Sequence, residues 1–318
     1  MRSTVKLVVQ ISCLNEEETL PLVLKTIPKK IPGIDSIEVL IIDDGCTDNT
    51  VEVARQHGVK NFVIHRRNKG LGVGFSHGLL KSLEMGADII VHTDGDNQYP
   101  QEKIGDLIQP ILDGRADMVV ADRQVQQIAH FSKGKKLMQA FGTYVLNSAA
   151  GTKIPDAPSG FRAYSRDAAF QLNVITRFSY TMETLIQAGQ KRLAIATIPI
   201  KTNPKTRESR LFKSSWEHMY KSGLAITRAF IMYRPYVIFN TLGGVLLVGG
   251  LVPFVRYFIL FLTDNSPGDH IQSLILGSVM IISAFVVWAI GIIADLTRIN
   301  RALNEEMLEH VKRQRFNT

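Results

Sequence analysis

Two acidic clusters carry chemistry in this chain. Asp94-Gly95-Asp96 closes an apolar run, Asp88–Thr93, and is followed by Asn97, Gln98, Tyr99 and Pro100. Two carboxylates one residue apart at the end of a strand can present oxygens to one hard cation, and Gln98 can add a neutral oxygen. Mg2+ or Mn2+ held in this way keeps some waters and bridges to substrate phosphates. A solvated acidic turn is the plain alternative, and the strand-end position argues against it. The second cluster, Asp43-Asp44-Gly45-Cys46-Thr47-Asp48-Asn49-Thr50, also follows an apolar run, Ser36–Ile42. Adjacent aspartates there repel unless they accept hydrogen bonds, and the ring N–H of uracil or guanine is a suitable donor. Asp48, or Thr47, can instead cap the next helix.

Between the clusters lies Asn68-Lys69-Gly70-Leu71-Gly72-Val73-Gly74. A dinucleotide fingerprint starting at Gly70 needs glycine where Phe75 stands, and one starting at Gly72 needs it where His77 stands. The phosphate-loop pattern is missing as well. The glycines therefore read as places where backbone closely approaches a ligand or a helix.

The elements that must position these residues follow from periodicity. Strands are expected at Val5–Cys13, Ser36–Ile42, Asn61–His65, Asp88–Thr93 and Asp117–Ala121, with later ones at Phe161–Tyr164 and Ala194–Ile200. Helices are expected at Glu16–Ile27, from residue 47 or 48 to His57, at Val73–Met85, Glu102–Leu112, Lys135–Ala149 and Met182–Ala188, with a loop at Gly151–Gly160. Alternating strands and helices predict an α/β fold with a mostly parallel sheet. Ligands bind such sheets at the carboxyl ends of the strands, where both acidic clusters fall.

The 318 residues exceed the needs of one small domain. Apolar residues concentrate after about residue 235. Val237–Val255 carries no charge, and as a helix it is about 28 Å long, enough to cross a bilayer. Ile271–Ala294 is a second uncharged run. Both are apolar on every face, which disfavours a buried core hairpin. Arg228 and Arg234 precede the first run, and Arg298, Arg301, Lys312, Arg313 and Arg315 follow the second, whereas the connection Thr263–His270 has no Lys or Arg. That asymmetry predicts two spans with both flanks in the cytosol. No signal peptide is read at the N-terminus. Lys213–Tyr233 mixes aromatic and basic residues in the manner of an interfacial helix, with an ordinary amphipathic helix packed on the domain as the alternative. The expected organisation is a catalytic domain at 1–212, an interfacial helix at 213–235, a two-helix membrane region at 236–296 and a basic cytosolic tail at 297–318. The formal net charge of +8 suits anionic partners, but no nucleic-acid recognition motif accompanies it. The two cysteines, Cys13 and Cys46, form no CxxC and read as free thiols.

Taken together, the motifs resemble the family 2 glycosyltransferases, and within them the polyprenyl-phosphate branch that includes dolichol-phosphate mannosyltransferases and bactoprenol glucosyltransferases. The matching stretches are Asn15-Glu16-Glu17, Asp43-Asp44-Gly45 with Asp48 and Thr50, Asn68 with Gly70 and Gly72, Asp94-Gly95-Asp96 with Gln98 and Pro100, Ser159-Gly160-Phe161-Arg162, and the basic run Lys205-Thr206-Arg207-Glu208-Ser209-Arg210. Cys46 stands where the family usually has Ser, and Glu208 where it has a small residue.

The resemblance implies a GT-A-type fold, a nucleotide-diphosphate sugar donor (a UDP- or GDP-sugar), a dolichyl or undecaprenyl phosphate acceptor and inversion at the anomeric carbon. Asn15, Glu17, Asp43, Asp44, Lys69, Gly70, Asp94 and Gly95 would hold the donor. Asp94, Asp96 and Gln98 would bind the metal, with Asp96 also counted as catalytic. Arg123, Arg162, Arg207, Ser209 and Arg210 would meet the acceptor phosphate, since guanidinium binds phosphate bidentately. Asp156 would orient the acceptor as a second catalytic carboxylate. Lys133, Lys135 and Lys136 either contact phosphate or form a solvated face. The bilayer is a further partner, a homo-oligomer is open, and nucleic acid is excluded. A processive polysaccharide synthase of the same family would carry Q-x-x-R-W and more spans, and neither occurs. A catalytically silent membrane subunit would not need the intact D-x-D.

Overall fold

A computed structural model describes residues 4–124, 133–176, 180–204, 231–232, 235–263 and 271–316. The chain divides into two units: Met1–Ile226 together with Glu305–Thr318, and Thr227–Asn304.

The first unit is built on a seven-stranded sheet in the order β3-β2-β1-β4-β6-β5-β7. Its strands are β1 (Lys6–Cys13), β2 (Ser36–Asp43), β3 (Asn61–Ile64), β4 (Ile89–Asp94), β5 (Met118–Asp122), β6 (Arg162–Ser165) and β7 (Ile195–Pro199). Neighbours pair in parallel except at β6, which is antiparallel to both β4 and β5. The mostly parallel α/β sheet expected from the alternation is therefore present, with one reversed strand. Around it lie α1 (Leu20–Thr26), α2 (Thr50–Gln56), α3 (Leu71–Glu84), α4 (Ile104–Leu112), α5 (Lys133–Ala150), α6 (Arg166–Gln171) and α7 (Tyr180–Gln190).

Side-chain alternation sends Leu7, Val9 and Ile11 of β1 to one face, where they join Leu20, Val23, Ala54, Leu107 and Ile108 in a continuous core. The opposite face of the same strand carries Gln10 and Ser12, and in register with them on β4 stand His92 and Asp94. A polar ladder thus runs through the middle of the sheet to the acidic end of β4.

Several element ends differ from expectation for local reasons. The first helix begins at Leu20, not Glu16, because Asn15 takes a left-handed turn at φ 58° and residues 16–19 close a turn on the Glu16 carbonyl. The second helix begins at Thr50. Asp48 Oδ1 accepts from the Thr50 amide at 3.0 Å, but the residue at the cap position is Asn49. Helix α6 was not foreseen; Ser165 caps it by accepting from the Ala168 amide.

The second unit contains α8 (Pro235–Thr263) and most of α9 (Ile271–Phe316). Both are long and apolar enough to cross a membrane. Their large side chains, among them Val245, Val248, Phe258, Leu276, Ile282 and Phe285, are exposed. The two helices touch backbone to backbone: a Cβ on Gly277 would lie 2.8 Å from the Gly250 carbonyl oxygen, so only small residues fit there. Where a separate basic tail was expected at 297–318, α9 continues unbroken to Phe316, and its end, from Glu305, groups with the sheet unit. Within that unit Lys312 Nζ donates to the Leu172 carbonyl at 2.7 Å, and Arg313 pairs with Asp167 at 2.8 Å. The expected interfacial helix at 213–235 lies almost entirely outside the described residues, as do Arg207, Ser209 and Arg210.

Candidate active site

The site forms where β1, β2 and β4 end side by side. Cys13 is in register with Asp43, and Ser12 with Asp94, so the two acidic turns flank the turn after β1. The first two turns are laced together. Asn15 Oδ1 accepts from the Thr47 amide at 2.7 Å, Glu17 Oε2 accepts from the Asn49 amide at 3.0 Å, and the Glu16 amide donates to Thr50 Oγ1 at 2.8 Å. Asn15 and Glu17, expected to meet the donor, thus use side-chain oxygens to brace the neighbouring turn.

Asp44 plays a similar part toward the glycine loop. Its Oδ1 accepts from the Lys69 amide and its Oδ2 from the Gly70 amide, both at 2.9 Å, and His65 Nδ1 lies 2.7 Å from Oδ1. His65 Nε2 in turn lies 2.8 Å from His77 Nδ1. The carboxylate is buried and ties the glycine loop to the end of β2. Lys69 therefore contributes its main chain here while its side chain is exposed. Asp43 accepts from the Cys46 amide at 2.7 Å, closing the turn around Gly45. Both cysteines are free, and burial pushes the Cys46 thiol up to about 12.

The glycine loop makes a close approach, but to a loop rather than to the expected ligand or helix. A Cβ on Gly72 would fall 2.0 Å from the Thr176 carbonyl oxygen. Thr176 is fixed in turn by Glu183, whose Oε2 accepts from the Ile175 and Thr176 amides at 3.1 Å.

At the end of β4, the Gly95 amide donates to the Ser12 carbonyl, and a Cβ there would meet Glu16 Cγ at 3.1 Å. The glycine between the aspartates lets Glu16 reach the Asp94–Asp96 turn. Thr19 Oγ1 holds it there, 2.8 Å from Glu16 Oε2 and 2.8 Å from the Gly95 carbonyl. Sequence reasoning chose Glu17 of this pair and passed over Glu16. The one available signal was that only a glycine at position 95 would admit an adjacent side chain.

Asp94 is raised to about 7 by its burial and by the charges of Asp96 and Glu16. Negative charge gathered on one strand end fits a hard divalent cation, which needs only one or two protein carboxylates when phosphates and waters complete its shell. Among the described residues no group of three His, Cys, Asp or Glu is assembled around a common point. Asp96 Oδ1 accepts from the Gln98 amide at 3.1 Å, which curls the turn.

Two tyrosines press the Ser159-Gly160 backbone against this corner. The Gly160 amide donates to Tyr99 Oη and the Tyr180 hydroxyl donates to the Gly160 carbonyl, both at 2.9 Å. A Cβ on Gly160 would lie 3.2 Å from Asp94 Oδ2. Burial pushes the Tyr99 phenol up to about 12, so it stays protonated.

Arg123 and Asp156 form a two-pronged ion pair, Nε to Oδ2 at 2.7 Å and Nη2 to Oδ1 at 2.9 Å. Asp156 is 2% exposed, so its carboxylate faces Arg123 and not the cleft. Its geometry makes it a support for Arg123 rather than a group touching substrate. The expectation for Arg162 needs correction. Its side chain is 0% exposed and donates to the carbonyls of Ser159, Thr181 and Ala157 and to Thr184 Oγ1. A guanidinium enclosed by carbonyls has no route to an acceptor phosphate; it fixes the Ser159-Gly160 turn instead. Asn203 is anchored on the turn after Asp96: its amide donates to the Gln98 carbonyl at 2.9 Å, and its Nδ2 to the Asn97 carbonyl at 3.0 Å.

A family model, Glycosyl transferase family 2, matches residues 8–171. The chain belongs to that family. This glycosyltransferase is 30% identical over 212 residues to the UDP-N-acetylglucosamine–dolichyl-phosphate N-acetylglucosaminyltransferase of Methanococcus voltae, a match covering 59% of this chain and 82% of the relative. It is 25% identical to the polyprenol monophosphomannose synthase of Mycolicibacterium smegmatis, over 55% of this chain and 67% of that one. Among solved structures it resembles the glucosyl-3-phosphoglycerate synthase of Mycobacterium tuberculosis, determined with Mn2+, UDP and phosphoglyceric acid. That match has a TM-score of 0.55 and 20% identity, and covers 71% of this chain and 78% of the other. The likeness establishes the GT-A-type fold of the sheet unit.

Proposed function

We propose that this glycosyltransferase moves a hexose from a UDP- or GDP-sugar to a polyprenyl phosphate at a cytosolic membrane face, with inversion. The lipid phosphate is already anionic near neutral pH. Its oxygen forms the new bond to the anomeric carbon as the bond to the nucleotide diphosphate breaks, and no proton has to leave the nucleophile. That removes the need for a strong general base and agrees with an Asp156 occupied by Arg123. Asp94, Asp96 and Gln98 would hold Mg2+ or Mn2+, which supplies charge stabilisation to the leaving diphosphate, typically several kcal/mol. Asp43, the glycine loop bracketed by Asp44, and the Lys69 side chain would seat the nucleotide. Tyr99 and Tyr180 would shape the sugar pocket by fixing the Gly160 backbone.

What supports the acceptor assignment most is the anchoring of Asn203 on the Asn97–Gln98 turn. The chain leaves the metal corner there, and Arg207, Ser209 and Arg210 come next in sequence, ahead of the spans. The similarity to the M. voltae and M. smegmatis enzymes supports the same acceptor class. Orientation follows from the Lys and Arg asymmetry around α8 and α9. Purified full-length protein incubated with a panel of nucleotide-sugars and a polyprenyl phosphate should give a product of the mass of the lipid phosphate plus one hexosyl residue (a hexose less one water), and chelator should abolish it. Transfer to sugar hydroxyls but not to prenyl phosphate, or full activity in chelator, would overturn the corresponding part of the reading.

A further inference from the structure

One buried group beneath the metal corner has no part in the functions described so far. His92 lies two residues before Asp94 on the same face of β4 and is 0% exposed. Its ring is boxed edge-to-face by Tyr180, with centroids 4.5 Å apart, and by Phe75 at 5.2 Å. On one side Gln10 Nε2 lies 3.0 Å from Nδ1. Gln10 is oriented by Ser82, whose hydroxyl donates to Gln10 Oε1 at 3.4 Å. An amide N–H can only donate, so Nδ1 is the acceptor and the neutral ring carries its proton on Nε2. That second nitrogen is buried without a hydrogen-bond partner among the described residues, and the nearest carboxylate oxygen paired with it is Asp94 Oδ1 at 3.9 Å.

A buried donor without an acceptor is costly, and native interiors rarely keep one without a reason. Here the ring cannot turn away, because Phe75 and Tyr180 flank it and Gln10 holds the opposite edge. Ser12, whose hydroxyl is also buried without a partner among the described residues, occupies the register position beside Asp94. The carboxylate therefore stands at the end of a fixed polar ladder, Ser82–Gln10–His92.

We propose that His92 is a positioning residue for the metal site: its Nε2–H, held in place through Gln10, faces Asp94 Oδ1 and orients the carboxylate that would help hold the cation. The ladder runs from α3 through β1 to β4, so the metal ligand is set by packing inside the sheet and not only by its own turn. This rests on the assignment of Asp94 and Asp96 as metal ligands. Outer partners of metal ligands commonly contribute 10–100-fold to metal affinity.

The test is Mn2+ binding to full-length protein in detergent, read by electron paramagnetic resonance with and without UDP, alongside thermal unfolding. His92→Phe fills the ring's space without a donor and should weaken Mn2+ binding about 10–100-fold. His92→Gln restores a donor at similar reach and should recover most of it. Gln10→Leu leaves the ring but frees its tautomer and should weaken binding to a lesser degree, which keeps the idea testable if His92→Phe does not fold. Asp96→Asn is the control for the metal site itself. Binding lost in Asp96→Asn but within threefold of wild type in a folded His92→Phe or Gln10→Leu protein would overturn the positioning role alone. Equal binding by wild type and Asp96→Asn would overturn the metal assignment and this inference with it. A loss in His92→Phe that His92→Gln does not relieve at equal melting temperature would show that packing, not the donor, matters.

Discussion

Arg123→Met keeps much of the side chain's length and removes its charge and its fork of donors. The partner left behind, Asp156, is 2% exposed and accepts from Arg123 through Nε, Nη2 and the main-chain amide at 2.7, 2.9 and 3.1 Å. Only the last of these survives the substitution. Stranding one member of a buried ion pair costs roughly 3–5 kcal/mol. In this size range each kcal/mol moves the melting temperature by about 2–4 °C, which gives a drop of about 6–20 °C. Scanning fluorimetry of the full-length protein in detergent at pH 7 measures it. Adding Asp156→Asn removes the stranded charge and should return at least half of that loss. A drop of under 2 °C, or no recovery in the double variant, would refute the reasoning.

Three further outcomes follow from other parts of the molecule. Gly72→Ala puts a methyl 2.0 Å from the backbone oxygen of Thr176, so it should destabilise by roughly 1–3 kcal/mol and weaken nucleotide binding severalfold, read by melting and by UDP or GDP titration. Arg210→Ala should cut transfer to a short-chain prenyl phosphate in detergent at least about tenfold while nucleotide affinity barely changes, as expected when one charge-assisted phosphate contact is lost; near wild-type rates would remove Arg210 from the acceptor site. Burial and then the charge of Lys191 lower Lys312 from 10.5 to about 8. Below pH 8 the folded chain must keep that amine charged at a cost. Between about pH 8 and 10.5 the folded state releases the proton while the unfolded chain retains it, so stability rises with pH across that window. Wild type should gain about 1–2 kcal/mol relative to Lys312→Met between pH 7.5 and 9.5, measured by parallel melts.

Both acidic turns could be placed at the carboxyl ends of strands from sequence because alternating apolar runs and turn residues report backbone period directly. The glycine loop is legible by elimination only in part: failing two glycine-rich patterns leaves close approach to a ligand or helix as its use, whereas Gly72 meets the carbonyl of Thr176 in a loop. What periodicity does not encode is pairing direction. β6 has the composition of any buried strand, yet it returns antiparallel between β4 and β5 after the excursion through α5. Nor does residue type reveal which way a polar side chain turns. Arg162 is an arginine in a motif beside a phosphate chemistry, but enclosure by the carbonyls of Ser159, Thr181 and Ala157 converts it to framework. Asn15, Glu17 and Asp44 look like ligands for a nucleotide and act first as ties between turns.

That conversion has a consistent physical origin. A site made of loop turns at the ends of a sheet must satisfy many main-chain amides that no strand or helix covers, and buried unsatisfied donors are expensive. The polar residues nearest the chemistry are therefore recruited to hold the loops, as Asp44 holds the amides of Lys69 and Gly70 and Asp43 that of Cys46. Where carboxylates crowd together instead, as Asp96 and Glu16 do around Asp94, burial and their charges push the Asp94 carboxyl up from its ordinary range.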